Sequence, residues 1–351
     1  MKSIYTEIQV FLDNMYKNIK ENKMATKSKC LDLLNKIELE QPNKWHLLLN
    51  LCLLRVSDQK DFNHIKSTCE EIEHALADIE LKAQLHLTLA DLYNRFNKNE
   101  NAIHHYEICL PLFKESANVI AYTQTRFNLA ILLVKIEKYF DAFKLLILLI
   151  EDNIIKEDYN RMIIAYKWLA IIEKDLKYNE ESIKHCILMG DLSLQKQDMY
   201  SYAEAYSMIG SNYSYLNNYD QALKALFISY EVCSQNSFID LLAITTRNIG
   251  FAYMTMQDFD QAEKYYFISI KHEKHINSCK HLADKYLDLG HIYFQKKDYP
   301  QAQACLINAM SIKKKHELEN LSLIFLCYAE LFIEQNKRVL HSQLYFLKKS
   351  I

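Results

Sequence analysis

A catalytic or metal centre in this chain of 351 residues would have to start from its four glycines, nine cysteines and thirteen histidines. The glycines stand alone at 190, 210, 250 and 290. Dinucleotide folds, P-loops and kinases need clustered glycines so that backbone can approach phosphate, so no nucleotide cradle is expected and no cofactor is assigned. The cysteines contain no C-x-x-C, and the histidines that sit together, His104-His105 and the string HEKH at 272–275, lack the H-E-x-x-H spacing that puts two imidazoles and a carboxylate on one helix face. Metal is therefore not expected either. Lys plus Arg (42) nearly balances Asp plus Glu (44), and a net charge of −2 creates no field to draw nucleic acid or an anionic membrane, so neither is an expected partner. With no signal-like start and no apolar run near 20 residues, the expectation is a cytoplasmic protein with reduced, mostly buried thiols.

What chemistry remains must come from side chains carried on helices. The chain is 50% hydrophobic and 12% aromatic, which excludes disorder and supplies a core. Gly and Pro number four and three, where average usage would give about forty together. Hairpins depend on such residues to reach φ > 0 or to preset φ, so a sheet protein is excluded and the expected class is all-α.

Repeats organise those helices. Ile209-Gly210, Ile249-Gly250 and Leu289-Gly290 recur at forty residues, each followed by Tyr three positions on and Ala twelve positions on. The intervening strings NNYDQA, QDFDQA and KDYPQA share one turn design. The register extends back to Leu169-Ala170, Leu129-Ala130 and Leu89-Ala90, with Ser182, Ala142 and Ala102 as second small residues. In a helix pair, small residues on facing helices permit close approach and the Tyr fills the gap beside them. The pattern resembles the tetratricopeptide repeat, with Tyr106, Leu146, Leu226, Tyr266 and Leu306 at the large position of the second helix, but with a period of 40 in place of 34. The expected organisation is a three-helix bundle over 1–57, a linker helix over 58–80, six repeats coiled as a superhelical array over 81–320, and a degenerate seventh pair over 321–351 as a cap.

A small helical bundle ahead of such repeats, with no helix-turn-helix signature, resembles the Rap family of response-regulator phosphatases and antagonists. VFLDNMYKNIKENKM is similar to the family's opening helix, LLNLCLLR to its third helix, and TTRNIGFAYMTMQDFDQAEKYYFISI to its repeat. The resemblance implies a regulator that binds a response regulator or transcription factor through the bundle and is switched by a short signalling peptide in the repeat groove. The family's phosphatases orient water with a Gln at the start of the third helix; here that position falls on Asn43 or, aligned by motif, on Gln41, which precedes Pro42. Turn and cap roles suit both residues, so binding is favoured over aspartyl-phosphate hydrolysis.

Inward-facing positions of the first helix of each pair supply the groove. They include Ser207, Ser211, Tyr215, Arg247, Asn248, Phe251, Asp288, His291 and Phe294. Of these, Ser211, Tyr215, Arg247, Asn248, Phe251, Asp288 and His291 form the expected peptide site. An Asn amide can donate to and accept from one peptide unit, and the resemblance puts that role on Asn248. The family's acidic residue is replaced by Tyr215, which leaves Arg247 and Asp288 as alternative charges. The competing reading is a plain scaffold with a carboxylate clamp for partner tails, for which Lys167 and Arg247 are the cations on offer.

Overall fold

The computed structural model describes residues 2–14, 17, 20–36, 66–67, 78–151, 158–276, 281–315, 327, 330–334 and 336–337. Among these, all regular structure is helical. Gln41, Asn43, the expected third helix and most of the linker and cap lie outside the described residues.

The chain forms two compact units, Met1–Glu157 and Asp158–Ile351. In the first, α1 (Lys2–Asp13) and α2 (Lys23–Lys36) bury Ile8 and Leu33 against each other, and Lys29 pairs with Glu7 at 2.5 Å. Two helix pairs follow, α3 (Ile79–Arg95) with α4 (Asn99–Glu115) and α5 (Val119–Lys135) with α6 (Tyr139–Glu151). The second unit holds four pairs: α7 (Tyr159–Asp175) with α8 (Asn179–Gln195), α9 (Met199–Tyr215) with α10 (Tyr219–Asn236), α11 (Ile239–Thr255) with α12 (Phe259–His275), and α13 (Leu282–Gln295) with α14 (Tyr299–Lys315).

Each pair is built around its small residues. Ala90, Ala130, Ala170, Ala102, Ala142, Ala222, Ala262 and Ala302 are completely buried. Ser182, which replaces Ala in its pair, is tolerated because its hydroxyl donates to the Ala170 carbonyl at 2.7 Å. The turns recur every twenty residues. A residue in the left-handed region ends the helix, as at Asn97, Ala117, Asn217, Gln257 and Lys297, and none of the nine such residues among those described is a glycine. A 6→1 backbone bond, such as Lys98 N–H to the Tyr93 carbonyl at 2.8 Å, holds that conformation. Asp or Asn then caps many of the next helices: Asn118 accepts from Ala121 N–H at 3.0 Å and Asp258 from Gln261 N–H at 3.1 Å. Gly210 and Gly250 are thus spent inside helices where a neighbour approaches closely, and the described turns do without glycine. Five of the described cysteines are buried, and burial pushes the Cys109 and Cys186 thiols up to about 12. They act as core residues rather than nucleophiles.

Candidate functional site

In the second unit, the first helices of successive pairs are joined by side-chain bridges, and most of the expected site residues belong to them. On α11, Asn248 donates from Nδ2 to Ser207 Oγ of α9 at 3.1 Å. Ser207 is itself buried and continues into a hydroxyl chain, accepting from Thr245 Oγ1 at 3.3 Å, which lies 3.0 Å from Ser229 Oγ. Ser207 does not open onto the groove as its inward register position implies: it is buried and accepts from Asn248 and Thr245 of α11, so its role is to aim the amide of Asn248. That amide is half-buried, and its Oδ1 accepts no hydrogen bond among the described residues.

Beside it, Arg247 donates to Asp288 Oδ2 of α13 through Nε at 3.2 Å and Nη2 at 3.1 Å. The Arg side chain is 41% exposed and the Asp 22%. Burial raises the Asp288 carboxyl above the usual carboxylate range against the pull of the guanidinium. A third bridge is aromatic: the rings of Tyr215 (α9) and Phe251 (α11) lie 5.5 Å apart and tilted by 46°, with the Lys177 ammonium 5.8 Å from the Tyr215 ring. Tyr215 is half exposed, which leaves an apolar face for a ligand. Ser211 is half-buried on α9 between these bridges. His291 stands apart: it is exposed one turn beyond Asp288, approaches Gln295 at 3.5 Å, and borders a small cavity with Phe294, Leu306 and Leu331.

A half-buried amide, an ion pair and an aromatic face along α9, α11 and α13 suit an extended peptide. Its backbone can be met by Asn248 and its side chains by the other two. Lys167, by contrast, is tied to Glu204 at 2.7 Å, which removes it from any carboxylate clamp. Sequence reasoning missed a polar cavity of about 530 Å³ in the first unit, lined by Asp91, Asn94, Arg95, Tyr106, Asn128 and Lys135. Its only sequence trace is Arg95 and Lys135 at the same place in consecutive repeats. It also missed the pairing of His86 Nδ1 with His105 Nδ1 at 2.9 Å, where the sequence suggested only the adjacent His104-His105. Among the described residues no cluster of three metal-binding side chains occurs, and no helix is long and apolar enough to cross a membrane.

The tetratricopeptide repeat model matches residues 203–226 and 283–316. No curated protein matches the sequence. Among solved structures, the chain is similar to a Rap protein complexed with competence and sporulation factor, at 16% identity over 95% of this chain and 98% of the other, with a TM-score of 0.56. It is also similar to the apo form of RapI (12% identity, 78% of this chain and 98% of the other, TM-score 0.62). A third similar structure is aspartyl phosphate phosphatase F from Bacillus subtilis (13%, 89% and 93%, 0.58). At these identities the likeness is one of fold.

Proposed function

We propose that the chain is a Rap-type regulator: it binds a response regulator or transcription factor through its N-terminal helices and is switched by a short signalling peptide held along α9, α11 and α13. The observation that carries this reading is the amide of Asn248, fixed by a buried serine yet left with an unused acceptor beside an ion pair and an aromatic face. Likeness to a Rap protein over nearly the whole of both chains supports it.

Each peptide group left unpaired on burial costs about 1–3 kcal/mol. Asn248→Ala is therefore expected to weaken peptide binding about tenfold or more, with a stability loss of only about 0.5–1.5 kcal/mol from the bond to Ser207 and an unchanged grip on the target in the absence of peptide. Because peptide and target are coupled in this reading, the same variant keeps inhibiting its target when peptide is added. Calorimetry and a target-release assay measure the two halves, and wild-type behaviour in both would remove Asn248 from the site.

Binding rather than hydrolysis is the proposed activity. Gln41→Ala and Asn43→Ala should leave target inhibition intact, and a phosphorylated response regulator should keep its label beside the protein. Loss of aspartyl phosphate that depends on either amide would make the chain a phosphatase. A second reading, a scaffold that docks acidic partner tails, is favoured by the cavity that carries Arg95 and Lys135. Binding of tails that survives Asn248→Ala but not Lys135→Ala would select it.

A further inference from the structure

Tyr106 and Tyr266 occupy the same place in two repeats, both fully buried at the large position of the second helix. In the first, the hydroxyl donates to Asp91 at 2.5 Å, a carboxylate one residue beyond the small Ala90. In the second, that register position is Phe251, and the Tyr266 hydroxyl is buried with no partner in hydrogen-bond geometry among the described residues. The carboxylate nearest in role is Asp288. Burial, first, and then this carboxylate push the Tyr266 hydroxyl up, so the two groups already interact, but they fall short of hydrogen-bond geometry, and both bonds that Asp288 makes among the described residues come from Arg247. The remaining charges about this spot are matched: Lys285 is sealed against Glu273 at 2.6 Å, and Asp284 meets Lys313 at 3.4 Å. Asp288 thus has a second buried partner within reach that it does not yet hydrogen-bond, whereas the other acid near Arg247, Asp284, is held by Lys313.

We propose that the peptide site selects an acidic side chain or terminal carboxylate, which takes the Arg247 guanidinium while Asp288 turns onto the Tyr266 hydroxyl. The exchange keeps the two donors of Arg247 satisfied and adds a bond for a buried hydroxyl that has none in the free protein. A basic ligand group would have to take Asp288 instead and leave Arg247 without an acid. The inference rests on the peptide reading above and adds the charge of the ligand to it.

The test uses the full chain and mixtures of hexapeptides in which one position at a time is fixed as Glu, Gln or Lys and the others are random. A fourth set carries an amidated C-terminus. Retention of Glu over Gln at one position by about tenfold, or of the free over the amidated terminus, is the expected result, and each identifies its source of the carboxylate. Arg247→Gln should erase that ratio. Asp288→Asn, which weakens the competitor, should raise retention of the acidic mixture severalfold. Tyr266→Phe should lower it severalfold while melting stays the same or rises, since an unpartnered buried hydroxyl is removed. The opposite signs of the Asp288 and Tyr266 variants separate exchange from simple damage to the site. Peptides retained without preference, or with preference for Lys, would overturn this inference and leave the peptide reading standing. No retention from any mixture would overturn both.

Discussion

Replacing Gly210 by alanine is expected to lower stability by about 1–3 kcal/mol, while the same change at Gly190 raises it by about 0.5–1 kcal/mol. Alanine is the better helix former at both positions, so propensity alone predicts stabilisation twice. The difference lies in what the new methyl meets. At Gly190 it would touch Ala205 Cβ at 3.5 Å and Tyr206 Cε2 at 3.6 Å, which are ordinary contacts. At Gly210 it would run into Leu226, with Cδ2 at 2.8 Å, and into the Ala222 carbonyl oxygen at 2.9 Å. The leucine could shift, but the backbone oxygen belongs to a packed helix and has nowhere to go. Gly250→Leu should cost more than either, because its Cβ alone would lie 2.8 Å from Cδ2 of the fully buried Tyr266 ring. In a stacked array such damage uncouples neighbouring repeats, so calorimetry should show a broader transition as well as a lower one. Equal melting of the Gly210→Ala and Gly190→Ala variants would contradict the close approach.

Lys285→Met is expected to destabilise the protein by about 3–5 kcal/mol, and Lys285→Met combined with Glu273→Leu to recover most of that loss. The two groups are 1% and 3% exposed and meet at 2.6 Å between α12 and α13, the helices that join two successive pairs. Burial lowers the Lys285 ammonium from its ordinary range in spite of the facing carboxylate, so desolvation outweighs attraction here. Removing the cation leaves Glu273 buried and uncompensated, which is far worse than removing both charges. Urea unfolding of the two single variants and the double variant closes the cycle. A single variant as stable as the double would mean that water reaches the abandoned carboxylate.

The helical class, the pairing of helices and the positions of the small residues were legible in the sequence. They follow from scarcity of glycine and proline and from a forty-residue register, and both are properties of local sequence that stacking repeats must respect. Even Ser182 could be placed as a substitute for alanine, because the register holds whatever the residue does with its hydroxyl. The site was legible only as a set of inward positions. That Asn248 leans on Ser207, that Arg247 is spent on Asp288, and that Lys167 is spent on Glu204 depend on pairs 41, 41 and 37 residues apart. Those partners meet because the first helices of successive pairs lie side by side, and the register cannot say which of several polar neighbours a long side chain will choose. Tyr266 makes the same point from the core. Its burial follows from the repeat, as it does for Tyr106, but the hydroxyl of one finds Asp91 and that of the other finds none, because the residue beyond the small position changes from Asp to Phe and the next acid is already held from a neighbouring helix. Local spacing determines where backbone and small residues must go; competition among charged and polar groups for the same few partners is settled only when the helices are packed.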